Sequence, residues 1–149
     1  MKFGSGALLA LAGSLTIAAG LGQAVSSPVA VSAKDDTATP AYFTEKVKPI
    51  LQTNCFRCHA GANHRGGYNM NTRESLLKGG HHGNGVVPGQ PEASLMIKLV
   101  NHENPAGDPP PMPPAPKEKL SDADLAVLSA WIKAGAVTPA DPIFVAPAQ

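Results

Sequence analysis

Cysteine is almost absent from this chain, with two residues in 149, Cys55 and Cys58. A framework of several disulfides, which small exported domains use to supplement a thin core, is thereby excluded. Aromatic side chains are also scarce, at one Trp, two Tyr and four Phe. The chain therefore carries a modest core of its own and is expected to bury something else as it folds. Charge of one sign is missing: twelve basic side chains stand against eleven acidic ones, and no basic patch suggests nucleic acid. No nucleophile with its base, no phosphate loop and no internal repeat stands out, so the expectation is that the chain is not an enzyme.

Long apolar runs are lacking too. The small-residue-rich stretch from Ala7 to Leu21 falls short of the roughly 20 predominantly apolar residues that a membrane span needs. It fits an export signal instead, with Lys2 as the positive n-region and Val31-Ser32-Ala33 as a small-x-small cleavage site;. Residues 1–33 are read as that signal, which places the chain in a bacterial periplasm with no membrane contact once the signal is cleaved. Loss of Lys2 leaves eleven basic and eleven acidic side chains. Residues 34–41 read as a mobile polar lead-in, residues 42–136 as one small domain, and residues 137–149 as a trailing Pro/Ala tail.

Helical periodicity runs through the domain, and no strand pattern does. Phe43, Val47, Ile50 and Leu51 recur at helical spacing, with Pro49 expected to kink that helix or restart it;. Asn71 with Glu74 predicts a capped second helix through Leu76 and Leu77, stopped by Gly79 and Gly80;. Pro91 and Glu92 predict the start of a third, through Leu95, Met96, Leu99 and Val100;. Ser121 and Asp124 open a fourth, whose stripe is Leu125, Leu128, Trp131 and Ile132 and whose stop is Gly135;. The fold class is therefore all-α, with Gly-rich and Pro-rich connections.

The two cysteines belong to the run Cys55-Phe56-Arg57-Cys58-His59, which reads CxxCH. A zinc site needs four N or S ligands, and only His64, His81, His82 or His102 could add the fourth, none of them in a second paired motif;. A thioredoxin-like site belongs at a strand end in a βαβ pattern, whereas helical sequence precedes this one. Two thiols at this spacing on one turn can each add to a vinyl group of haem, with the following imidazole placed to meet the iron. The reading is one covalent haem c, held by Cys55 and Cys58, with His59 on the iron. Covalent attachment takes place outside the inner membrane, so the export signal and the motif support each other.

Methionine is the natural sixth ligand. Met1 leaves with the signal, Met96 sits among apolar helix residues, and Met70 follows His59 closely. Met112 lies in Asp108-Pro109-Pro110-Pro111-Met112-Pro113-Pro114, where prolines restrict the backbone on both sides and suggest a polyproline-like strap;. Met112 is the favoured candidate of the four.

Val47-Lys48-Pro49-Ile50-Leu51, Asn54 with CxxCH, Gly66-Gly67, the run from Asn71 to Gly80, Val87-Pro88-Gly89, Ser94-Leu95, Met112-Pro113-Pro114 and Trp131-Ile132 together resemble the planctomycete-type cytochrome c domain, of the class I cytochrome c fold. The resemblance spans about residues 42–134. It implies a mono-haem domain in which the first and last helices cross, with Cys55, Cys58, His59 and Met112 at the matching positions. A departure from the family is Gly80-His81-His82-Gly83, a histidine pair on a glycine loop, read as solvated surface;. With both axial positions filled, the expected output is one-electron transfer between a redox donor and an acceptor protein. The alternative is a haem enzyme or gas sensor with an open or labile sixth position. A third reading makes the chain a fixed subunit of a larger oxidoreductase.

Overall fold

The structure, a computed structural model, describes residues 36–103 and 107–144. The export signal read over residues 1–33 lies outside them. Every regular element among the described residues is helical, as expected, and an isolated bridge joins Gly80 to Gly83.

Helix α1 spans residues 40–54 in three continuous parts, α over Pro40–Tyr42, a π turn over Phe43–Val47, and α again over Lys48–Asn54. The Thr39 hydroxyl caps it by accepting from the Tyr42 N–H at 3.1 Å, with Pro40 at the first position;. The α-helix begins again at Lys48 with Pro49 in its first turn, as the sequence allowed, and the chain stays helical through the junction;. A proline ring collides with the carbonyl four residues back and offers that carbonyl no donor. The π turn lies directly ahead of Pro49, with the Lys48 N–H bonded to the Phe43 carbonyl five residues back, and widens the helix where that collision would fall;. Phe43, Val47 and Leu51 are all wholly buried.

Helix α2 is the single turn Phe56–His59, entered through Cys55. Helix α3 is Arg73–Lys78, and its cap is Thr72 rather than Asn71. The Thr72 hydroxyl accepts from the Ser75 N–H while the Ser75 hydroxyl accepts from the Thr72 N–H, a reciprocal box that Asn71 and Glu74 do not form;. Helix α4 is Leu95–Val100, shorter than predicted, because Pro91–Ala93 closes as a separate 3₁₀ turn. Ser94 divides the two. Wholly buried, its hydroxyl accepts from the Val87 N–H and donates to the Gln90 carbonyl.

Helix α5, Asp122–Lys133, matches its expectation. The Ser121 hydroxyl accepts from the Asp124 N–H, Leu128, Trp131 and Ile132 are wholly buried, and Gly135 (φ 103°) follows the end of the helix;. Leu125, the first residue of the predicted stripe, is only half-buried. Trp131 seats α5 on α1, with its ring 5.6 Å from that of Phe43, and its indole N–H donates to the Val137 carbonyl at 2.7 Å.

Residues 137–144 do not trail off as the composition suggested. Ile143 and Phe144 are each only 3% exposed, and Phe144 packs on Phe43 at 6.5 Å and on Phe56 at 4.9 Å. Arg73 ties the segment down. Its guanidinium donates to the carbonyls of Gly135 and Ala136, its N–H donates to the Asp141 carboxylate, and the Ile143 N–H reaches the Asn71 carbonyl. Few aromatics are available, and the core recruits a Phe from beyond the last helix.

Replacing Trp131 with Ala removes the α1–α5 contact and leaves the Val137 carbonyl without its donor. The expected loss is about 3–5 kcal/mol in urea unfolding of the purified protein. A loss below about 1 kcal/mol would mean that another contact holds the two helices.

Candidate functional site

Helix α1 delivers the CxxCH run. The Cys55 N–H bonds to the Leu51 carbonyl at 2.8 Å, and the N–H groups of Cys58 and His59 both return to the Cys55 carbonyl at 3.0 Å. One tight turn thus presents Cys55, Cys58 and His59 to the same cavity, because positions i, i+3 and i+4 share a helix face;. The loop after the motif is closed by Asn71. Its side-chain oxygen accepts from the Gly61 N–H at 2.8 Å and its amide donates to the Gly61 carbonyl at 2.9 Å, the pairing of two facing backbone groups. The Met70 N–H adds a bond to the His59 carbonyl at 2.8 Å.

The cavity measures about 380 Å³. Cys55, Cys58 and His59 form one part of its lining, the α4 residues Leu95, Met96, Leu99 and Val100 another, and the segment Pro109–Pro114 a third. Met112 lines it from that segment, pinned by its N–H to the Leu99 carbonyl at 3.0 Å. The strap is not a uniform polyproline run. It bends at residues 107–109 and 112–113, and the peptides before Pro109 and Pro113 are cis. All four residues singled out in the sequence, Cys55, Cys58, His59 and Met112, therefore meet at one cavity. Met70 and Met96 line it as well, although both are buried in the core, at 1% and 5% exposure, whereas Met112 is half-buried.

Burial keeps His59 and Cys55 neutral. Burial lowers the His59 pKa below its usual value, the backbone of Tyr68 and Arg65 acting the other way, and a neutral imidazole is the form that can bind a metal. Burial pushes the Cys55 thiol up to about 12, with Lys117 opposing and Cys58 reinforcing. Cys55 therefore carries its proton at neutral pH, which protects a thiol from stray oxidation. Burial likewise raises the Tyr68 phenol, whose O–H donates to the Leu76 carbonyl at 3.1 Å and whose ring lies 5.4 Å from that of His59. Tyr68 was not singled out in the sequence, although so few aromatics should draw notice to one placed nine residues past His59.

The donor set suits a haem. Two free thiols, one neutral imidazole and a thioether surround a largely apolar space, and His59 Nδ1 is buried with no hydrogen-bond partner;. No group of three or more His, Cys, Asp and Glu among the described residues is arranged to hold a metal ion by itself.

Residues 55–116 match the family model of planctomycete cytochrome C. This is the family that the sequence motifs resemble, and a cytochrome c domain implies covalent haem c with its iron. The match starts at the first thiol and ends just past the strap, so it takes in CxxCH and Met112 but neither α1 nor α5. No curated protein and no solved structure matches the chain. No helix among the described residues is long and apolar enough to cross a membrane.

Asn71→Ala breaks both bonds of the clasp and strands the Gly61 N–H and carbonyl. The expected cost is about 1–3 kcal/mol in thermal or urea unfolding, with Asn71→Asp, which keeps the acceptor, losing less. Equal losses in the two variants would show that the acceptor bond contributes nothing.

Proposed function

We propose that the chain is a mono-haem c-type cytochrome of the class I fold, exported to the periplasm, where it carries single electrons and catalyses no reaction of its own. The observation that carries this reading is the convergence of Cys55, Cys58, His59 and Met112 on one apolar cavity. Cys55 and Cys58 would hold the haem through thioethers, and His59 and Met112 would take the two axial positions. When bound, the haem supplies a reversible one-electron couple, and methionine ligation together with apolar burial favours its reduced form.

The chain's own contribution is rigidity and dryness. The Cys55–His59 turn is fixed by its backbone bonds and by the Asn71 clasp behind it, and Met112 is fixed through Leu99. With His59 and Met112 both holding the iron, no position would be left for a small substrate, which favours a carrier over an enzyme or gas sensor. Donor and acceptor proteins would meet the open edge of the cavity. The near balance of charges offers them no strong steering field;.

An absorption spectrum of protein exported from a host with a haem-attachment system tests the reading. Expected are c-type bands that survive denaturation, a far-red thioether-to-iron band in the oxidised form, and no response of the reduced form to CO. CO binding by the wild type would transfer the assignment to a catalytic or sensing haem. Met112→Ala should abolish the far-red band, lower the midpoint potential and create CO binding. Retention of the band would make Met70 or Met96 the ligand. Cys58→Ala should leave at most one thioether and lower the yield of covalent haem, read by mass spectrometry of the denatured chain.

A further inference from the structure

The pair His81-His82 is exposed, as read from the sequence, and stands at the rim of the cavity. Both residues line it, together with Arg65 and Gly66. The loop that carries them is fastened to the turn Arg65–Gly67 by the His81 N–H, which donates to the Gly66 carbonyl at 2.9 Å. Space for the His81 ring is provided by Gly67 (φ 72°), where an added methyl group would meet the ring's Cδ2 and Nε2 at 2.6 Å;. On the other side, His82 Nε2 lies 3.7 Å from the Asp108 carboxylate, four residues before Met112. An exposed pair of this kind adds little stability, but it links the histidine loop to the strap across the cavity.

Three side chains able to carry positive charge, Arg65, His81 and His82, thus gather at one edge of a cavity whose other walls are mostly apolar, with Asp108 as the acidic group recorded against them. A haem is itself amphipathic, with an apolar ring and two propionate carboxylates on one edge. On the haem reading of this site, we infer that Arg65 and His81 bind the propionates. Arginine matches a carboxylate with paired N–H donors, and imidazole supplies one more. Positive groups at the propionates offset their negative charge and so stabilise the reduced haem relative to its state without them.

The test compares the holoprotein with Arg65→Gln, His81→Gln, the double variant and Lys133→Gln, a charge removed from an exposed position on α5. Two quantities are read, the propionate bending band in resonance Raman and the midpoint potential by spectroelectrochemistry. Expected are a shifted propionate band and a lowered potential in both rim single variants, more so in the double, with the covalent haem and the far-red thioether band retained. Lys133→Gln should match wild type in both. The inference is overturned if the rim variants behave as Lys133→Gln does. Wild-type protein without covalent haem would overturn the proposed function itself, a result recognisable before any variant is made.

Discussion

Trp131 against Phe43 is the contact on which the remaining structure hangs. It fixes α5 against α1, and α1 ends directly before the first thiol. The indole N–H then turns the chain back at Val137, which returns Phe144 to Phe43 and Phe56. Phe56 lies inside the CxxCH run itself. The core and the site are consequently continuous: the aromatic cluster that joins α5 to α1 also backs the turn that presents both thiols. A chain with seven aromatic residues places four of them, Phe43, Phe56, Trp131 and Phe144, in this one cluster.

How much of this was legible in the sequence depended on whether the signal was local. Ser121, the Leu128–Trp131–Ile132 stripe and Gly135 all act within their own helix, and α5 stands where they put it;. Asn71 and Pro91 misled because each has a local meaning that a partner elsewhere overrides. Asn71 is a good cap, but its amide is taken up by Gly61, and Thr72 with Ser75 caps in its place. Pro91 opens a turn that the buried Ser94 hydroxyl ends. Phe144 was lost in a Pro- and Ala-rich composition, although adjacent Ile143 and Phe144 formed an apolar pair with no reason to face water;.

The cavity was legible to a different degree. CxxCH is a covalent pattern and survives any error in helix boundaries, so its three residues share one wall as expected. Met112 reaches the same space because its proline-rich strap is anchored to α4. That geometry was only half visible, since the anchoring bond to Leu99 leaves no mark in the sequence. Met70 and Met96 show why one-dimensional reasoning about thioethers is incomplete: a side chain can belong to the core and to the cavity wall at once. The histidine pair at the rim was noticed in the sequence but not placed, because the bond from the His81 N–H to the Gly66 carbonyl and the room left by Gly67 leave no local signal.

The π turn at Phe43–Val47 sets the angular phase between the aromatic anchor and the thiols. Eight residues of ideal α-helix from Phe43 to Leu51 would drift by about 80° around the axis, yet Phe43, Val47 and Leu51 are all wholly buried. The wider turn absorbs that drift. Deleting one residue within Phe43–Val47 so that the turn closes to ordinary helix would remove a step of about 100° together with the widening that offsets it, and Cys55 would keep its direction relative to Phe43. The π turn is thus the place where this helix can lose a residue without losing its aim, whereas a deletion in the α segment Lys48–Asn54 would swing the thiols by about 100° away from the aromatic anchor;.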